Sequence, residues 1–225
     1  MTEAAVAGGP VLGLLVDWGG VLTTSVFDAF AAFGAREGIA PDAVARLFRA
    51  DPEARELLVG LETGTLAEAE FERRFGALLG VPADRLIARM LGSLGTDARM
   101  CAAVAAARRQ GVPTGLVSNS WGLSGYPAEL LAELFTGVVI SGTVGLRKPA
   151  PEIYRLGAES LGLRPDQCVF VDDLPGNLAP ARELGMATVH HVSAERTVAE
   201  LARLLGRDLE ERELEESDLE GEERS

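Results

Sequence analysis

Four segments of this chain carry polar residues that could do chemistry together. In chain order they are Asp17 in VDWGGVLT, Ser118 and Asn119 in LVSNS, Lys148 in GLRKPAPEIY, and Asp172 and Asp173 in VFVDDLPGN. Carboxylates are ligands that a hard cation such as Mg²⁺ prefers, and an ammonium group neutralises an anion beside it. If the fold gathers these segments, the sequence predicts a site where carboxylates, a cation and an anionic substrate meet.

The apolar pattern indicates how the fold gathers them. Apolar runs predict five buried strands at 11–17, 112–119, 137–142, 167–173 and 186–192. Helical patterns alternate with them at 98–110, 127–135, 150–162, 176–185 and 195–206. Strands that are buried on both faces and alternate with helices predict a Rossmann-like parallel sheet in an α/β fold. Ligands bind such sheets beyond the carboxyl ends of the strands, which is where the polar residues cluster.

Residues 25–95 interrupt this alternation and contain no convincing strand. Their pattern predicts helices at roughly 25–38, 41–50, 52–60, 65–79 and 83–94. Pro41 and Pro82 stand where first-turn prolines would, and Thr65 with Glu68 predicts a capping box. The chain therefore predicts a helical cap inserted into a core that comprises residues 1–24 and 96–206.

Composition and charge exclude several classes of protein. Of the 225 residues, 47% are apolar, which is enough for a folded core, and no apolar run reaches the roughly 18–20 residues of a membrane span. Two cysteines without metal-ligand or disulfide spacing, together with the start of the chain, lead us to expect a cytoplasmic protein. Residues 207–225 carry most of the net charge of −13 and predict an acidic, disordered tail. The sequence contains no basic stripe, so nothing in it points to a nucleic-acid partner.

Lys148 is the only lysine of a chain that otherwise uses arginine. A compact ammonium fits a crowded anionic site better than a planar guanidinium does. Taken alone, this residue would be interpreted first as a surface lysine that occurs here by chance. Together with the other polar segments, it favours a functional role.

The four segments, in this order and with a helical insertion after the first strand, resemble the haloacid dehalogenase-like superfamily of hydrolases. The phrase VDDLPGNLAPARELGM is similar to the phosphatase domain at the amino end of soluble epoxide hydrolases. The resemblance extends from about residue 11 to residue 206. It implies a Mg²⁺-dependent hydrolase that cleaves small phosphate monoesters through an aspartyl-phosphate.

The resemblance also implies a metal site and a nucleophile. Asp17 would attack phosphorus, and Mg²⁺ would be bound by Asp17, Asp173 and the backbone carbonyl of Gly19. Asp172 and Asn177 would support these groups through hydrogen bonds or bridging water.

A phosphate-binding set follows in the same way. The Ser118 hydroxyl and the backbone N–H of Asn119 would hold the phosphate oxygens. Lys148 would neutralise both the phosphate and the nucleophile, which makes it the second catalytic residue beside Asp17. The expected partner is a small-molecule phosphate ester, and the sequence does not fix the oligomeric state.

Gly19 departs from the pattern of the superfamily. Most of its phosphatases carry a second Asp at this position, which protonates the leaving oxygen. Without that side chain, leaving groups that depart unprotonated would suffer least, so sugar 1-phosphates and acyl phosphates are favoured over simple alkyl phosphates.

Two other function classes stay open at this point. One is a metal-independent 2-haloacid dehalogenase, in which Asp17 attacks carbon. The pair Asp172 and Asp173 argues against it, because uncompensated acids would repel a carboxylate substrate. The other is a non-catalytic phosphate-binding module, which Gly19 suggests. Metal dependence and a phosphate-ester screen distinguish the three.

Overall fold

A parallel five-stranded sheet lies at the centre of this computed structural model, which describes residues 10–122 and 125–210. The strands are β1 (Gly13–Val16), β2 (Thr114–Ser118), β3 (Gly137–Ile140), β4 (Cys168–Asp172) and β5 (Ala187–His190). Their order is β3-β2-β1-β4-β5, and every neighbouring pair is parallel. The predicted sheet is confirmed, with each strand shorter than the run that predicted it.

Both faces of the sheet are covered, which explains why the strands are continuous apolar runs. Successive side chains of a strand point to opposite faces. Leu14 and Val16 of β1 accordingly pack into one hydrophobic cluster, whereas Leu15 packs into a second cluster on the other face. All three side chains are fully buried.

Five helices separate β1 from β2 and form an inserted cap. They are α1 (Val26–Glu37), α2 (Ala43–Ala50), α3 (Pro52–Glu62), α4 (Glu68–Leu79) and α5 (Leu86–Leu91). They surround a hydrophobic cluster of their own, in which Phe33, Phe71 and Phe75 are completely buried. The predicted all-helical insertion is therefore confirmed.

Three local predictions in the cap are wrong. Helix α4 begins at Glu68 after Ala67, and within the described residues no side chain caps it. The Thr65 hydroxyl instead donates to the carbonyl of Gly60 at the end of α3, at 3.3 Å. Pro41 and Pro82 both precede the helices whose first turns they were expected to occupy, α2 and α5.

The remaining six helices of the described residues cover the sheet. They are α6 (Ala98–Arg109), α7 (Ala128–Leu134), α8 (Ser141–Val144), α9 (Pro151–Ser160), α10 (Pro175–Glu183) and α11 (Ala194–Leu205). Helix α8 was not predicted, because its first residues read as the end of the third strand. None of the helices in the described part of the chain combines the length and apolar character of a membrane crossing.

The two connections between cap and core run side by side. Asp97 donates a backbone hydrogen bond to Leu22 at 2.9 Å, and Thr24 donates one to Gly95 at 2.8 Å. Because the first connection follows β1 directly, it places the cap over the carboxyl ends of the strands.

The end of the folded part lies beyond the predicted start of the tail. Leu209 is buried in the core cluster on one face of the sheet, and Glu210 forms an ion pair with Arg99 at 2.8 Å. Residues 207–210 therefore belong to the folded part. The rest of the predicted tail, 211–225, lies outside the described residues.

Candidate active site

The sheet brings three of the predicted acids together. Asp17 follows β1, Asp172 ends β4 and Asp173 comes next, and β1 and β4 are neighbours in the sheet. Each acid offers a carboxylate oxygen, and these oxygens all lie within 4.8 Å of one another. Parallel neighbouring strands end at the same edge, so the positions of these acids follow from topology.

Lys148 joins two of these acids. Its Nζ lies 2.8 Å from Asp17 Oδ1 and 2.7 Å from Asp172 Oδ2. The lysine side chain is 1% exposed, so both ion pairs are shielded from water. The only lysine of the chain thus lies inside the predicted site rather than on the surface.

The charges of this cluster do not balance within the described residues, where one ammonium is paired with a group of three carboxylates. Burial raises the pKa of Asp17 to about 7, with Asp172 and Asp173 adding to it and Lys148 opposing it. Burial and Asp172 likewise raise the pKa of Asp173 to about 6. Burial acts to lower the pKa of Lys148, but Asp17 and Asp172 outweigh it and the pKa is raised. The excess negative charge and the oxygen donors fit a divalent cation such as Mg²⁺.

Gly20 shapes the turn beside these acids. Its φ is +74°, and a Cβ at this position would lie 2.5 Å from Asp173 Oδ2. The turn is fixed by the backbone N–H of Gly20, which donates to the Thr23 hydroxyl at 3.0 Å. Glycine is therefore required at residue 20 both for the turn and for the close approach of Asp173.

Asp172 is held by hydrogen bonds on all sides. Besides Lys148, it accepts from the backbone N–H of Leu174 at 2.8 Å. The Asn177 side-chain amide lies 3.0 Å from Oδ1 and 3.1 Å from Oδ2. Asn177 is fixed in turn, because Tyr154 donates to its carbonyl at 2.7 Å. The geometry is consistent with the supporting role that the sequence predicted for Asp172 and Asn177.

The predicted phosphate-binding loop follows β2 and reaches the same site. Ser118 Oγ and Tyr126 Oη are hydrogen-bonded at 2.9 Å. The Asn119 side chain accepts from the backbone N–H of Lys148 at 2.8 Å and donates to its carbonyl at 3.0 Å. Asn119 therefore also positions the lysine, a contact that the sequence did not indicate. Tyr126 was missed because it stands in a polar loop without a periodic pattern.

A cavity of about 440 Å³ lies between cap and core above this cluster. Asp17, Gly19, Ser118, Asn119, Lys148 and Asp173 line its core side. Its cap side is mainly apolar and includes Val26, Phe27, Phe30, Phe48, Leu58 and Leu91. Trp121 reaches from the core into the cap, with its ring 5.5 Å from those of both Phe30 and Phe48. The cap side also includes two charged residues, Arg49 and Glu62. The site therefore combines a charged floor with a mainly apolar roof.

An ion pair that the sequence did not predict lies in the wall of this cavity. Glu62, at the end of α3, lies with Oε2 2.6 Å from Nε of Arg147. The Glu62 side chain is 6% exposed, and Arg147 directly precedes Lys148. The pair connects the cap to the loop that carries the buried lysine.

The sequence of this chain is similar to those of known hydrolases. A family model described as a haloacid dehalogenase-like hydrolase matches residues 11–185. The rat bifunctional epoxide hydrolase 2 is 32% identical over 114 residues, which are 48% of this chain and 21% of that protein. The chain thus spans about a fifth of the length of that relative. The sesquiterpene phosphatase AstK of Aspergillus oryzae is 26% identical over 151 residues, 64% of this chain and 77% of that protein.

A solved structure shows the same fold. An enzyme of this family from Bacteroides thetaiotaomicron, crystallised in complex with magnesium and inorganic phosphate, superposes with a TM-score of 0.60. The match covers 79% of this chain and 92% of that one at 22% identity. Together with the family model, this likeness confirms the resemblance and the fold class read from the sequence.

Proposed function

Since the chain belongs to the haloacid dehalogenase-like hydrolase family, we propose that it is a Mg²⁺-dependent phosphatase that hydrolyses small phosphate monoesters. The observation that carries this proposal is the buried cluster in which Lys148 Nζ lies 2.8 Å from Asp17 and 2.7 Å from Asp172, with Asp173 beside them. Acids in excess over one ammonium suit a reaction in which a bound divalent metal ion offsets their negative charge and that of the phosphate.

The metal would be bound by Asp17, Asp173 and the backbone carbonyl of Gly19. When bound, Mg²⁺ neutralises carboxylate and phosphate oxygens and so allows two anions to approach each other. At about 4 Å and an effective dielectric constant near 20, each like-charge pair would otherwise cost about 4 kcal/mol.

The residues of the chain then carry the chemistry. The Asp17 carboxylate attacks phosphorus and forms an aspartyl-phosphate, which water hydrolyses in a second step. Lys148 neutralises the transferred group, while the Ser118 hydroxyl and the Asn119 N–H hold its oxygens. Asp172 and Asn177 keep the lysine and the β4 loop in place.

The apolar side chains on the cap side of the cavity indicate which leaving groups the site would accept. Gly19 alone favoured sugar 1-phosphates and acyl phosphates, but Phe27, Phe30 and Phe48 offer few hydrogen bonds to a sugar. We therefore place esters with an apolar or aromatic leaving group ahead of sugar phosphates. A relative named as a sesquiterpene phosphatase supports this order.

We also propose a division of the chain into a cap and a catalytic core. The paired connections at residues 22–24 and 95–97 support a cap of residues 25–95 on a catalytic core of 1–24 and 96–206. The cytoplasmic location expected from the sequence stays a prediction.

A phosphate-release assay tests the proposal. With Mg²⁺, we expect turnover of p-nitrophenyl phosphate and of other small monoesters, and EDTA should abolish it reversibly. The matched control is a set of 2-haloacids assayed for halide release, with and without EDTA. Halide release that survives EDTA would favour the dehalogenase. Phosphate binding without turnover of any ester would favour the binding module.

A further inference from the structure

The position of Gly19 leaves the proposed reaction without a proton donor for the leaving oxygen. Among the described residues that line the cavity, three carry carboxyl groups: Asp17, Glu62 and Asp173. Asp17 is the proposed nucleophile and Asp173 a proposed metal ligand. We propose that Glu62, carried on the cap, protonates the leaving oxygen in place of the side chain that residue 19 lacks. This inference rests on the proposed phosphatase function.

Glu62 is fixed at the boundary between cap and core. Its backbone carbonyl accepts a hydrogen bond from Ser141 Oγ, which also accepts from the backbone N–H of Ser120 at 2.8 Å. A Cβ on Gly64 would lie 2.6 Å from the carbonyl of Gly142, so α3 ends in direct contact with the core. The same contacts hold Glu62 against the loop after β2, where the phosphate is expected to bind.

The surroundings of the Glu62 carboxyl suit a proton donor. The charged and titratable groups that act on it are Arg147, Lys148 and the hydroxyl of Tyr126. Burial raises the pKa of Glu62, while Arg147 and Lys148 oppose the increase without cancelling it. A carboxyl group that keeps its proton closer to neutral pH is a more effective general acid there. Once the proton has left, Arg147 stabilises the carboxylate at 2.6 Å.

Two other cavity groups are poorer donors. Lys148 points its ammonium at Asp17 and Asp172, and its pKa is raised by both. Burial raises the pKa of Tyr126, and its hydroxyl is hydrogen-bonded to Ser118. Both groups therefore hold their protons more tightly than a carboxyl group does.

Each step balances with these residues alone. In the first step, an Asp17 oxygen bonds to phosphorus, the bond from phosphorus to the leaving oxygen breaks, and the Glu62 proton moves to that oxygen. The product leaves as an alcohol. In the second step, water attacks phosphorus, Glu62 takes one proton of the water, and the bond from phosphorus to Asp17 breaks. Inorganic phosphate departs and Glu62 is protonated again.

The test is a leaving-group series on the wild type and on Glu62→Gln, with Mg²⁺ present. The quantity to compare is kcat/KM, which reports the first step alone, because hydrolysis of the aspartyl-phosphate in the second step also uses Glu62 and is common to all esters. In the wild type, kcat/KM should depend only weakly on leaving-group pKa. In Glu62→Gln, kcat/KM for alkyl phosphates should fall by about 10²–10⁴-fold, the usual contribution of a positioned acid, while kcat/KM for p-nitrophenyl phosphate should change little. A loss that is equal for all esters, or a steep dependence already present in the wild type, would overturn the assignment.

Arg147→Met separates proton donation from a merely structural ion pair. This variant loses the ion pair between Arg147 and Glu62 but keeps the carboxyl group and the other contacts between cap and core. Because Arg147 lowers the pKa of Glu62, its removal should raise that pKa, and alkyl phosphate turnover should persist to higher pH. If Arg147→Met instead reproduces the losses of Glu62→Gln, the pair is structural and the inference fails.

The wild type itself supplies a measurement that depends on no variant. Its kcat/KM for alkyl phosphates should decline at alkaline pH as Glu62 loses its proton, whereas kcat/KM for p-nitrophenyl phosphate should not show that decline. Identical pH profiles for both esters would contradict proton donation by Glu62. A wild type that hydrolyses no ester with Mg²⁺ would mark the failure of the proposed function instead.

Discussion

Replacing Asp17 by Asn should reduce phosphate-ester turnover by on the order of 10⁵–10⁶, the scale seen when a covalent nucleophile is removed. The amide keeps the shape of the side chain but is neither a competent nucleophile nor a good ligand for Mg²⁺. Its oxygen can still accept the hydrogen bond that the backbone N–H of Trp18 donates to Asp17 Oδ1 at 2.7 Å. The loss should therefore be chemical rather than structural.

Stability measurements distinguish a chemical loss of activity in Asp17→Asn from a loss caused by unfolding. Burial opposes the charge of Asp17, and Asp172 and Asp173 repel it, which together outweigh the attraction of Lys148 and raise its pKa. Removing the charge should therefore offset the loss of the ion pair, and without Mg²⁺ the Tm of Asp17→Asn should not fall. Asp166→Asn, which changes an exposed acid paired with Arg164, is the matched control and should leave kcat unchanged. Turnover of Asp17→Asn within tenfold of the wild type would contradict the nucleophile assignment.

Replacing Lys148 by Met should affect both turnover and stability. Met fills a similar volume, so the main change is the loss of the ammonium between Asp17 and Asp172. Breaking a buried ion pair on one side destabilises a protein by about 3–5 kcal/mol. Here the free energy of unfolding should fall by about this amount in EDTA, and by less with Mg²⁺, because the metal ion neutralises the same acids.

The activity of Lys148→Met should fall below detection for weakly activated esters, because the transferred phosphoryl group loses its cation. Lys148→Arg should not restore it, since the planar guanidinium does not fit between two acids that each lie within 3 Å of Nζ. Arg164→Met, at an exposed ion pair, is the control and should change stability little. An active and fully stable Lys148→Met would show that the cluster does not depend on its lysine.

The parts of the site that the sequence predicted all depend on local pattern. Asp17, Ser118 and Asp172 stand at the ends of apolar runs, and parallel topology alone brings such ends to one edge. The absence of other lysines marked Lys148. For these residues, strand pattern and residue type were sufficient.

The parts that were missed depend on packing between distant segments. Glu62 lies beyond the predicted end of its helix, residue 60, because the structure ends this helix two residues later. Its partner Arg147 is 85 positions away, and an acid on a cap helix is typical of a solvated face. The capping box failed for a local reason, because the Thr65 hydroxyl bonds to the carbonyl of Gly60 in the preceding helix.

The most direct test of the central claim is the mass of the chain during turnover. The enzyme should be mixed with excess p-nitrophenyl phosphate and Mg²⁺, quenched in acid within one turnover and digested for mass spectrometry. We predict one phosphoryl group on the peptide that contains Asp17, present with Mg²⁺, absent with EDTA and absent in Asp17→Asn. Phosphate release without that modified peptide, or a phosphoryl group on any other residue, would contradict the account.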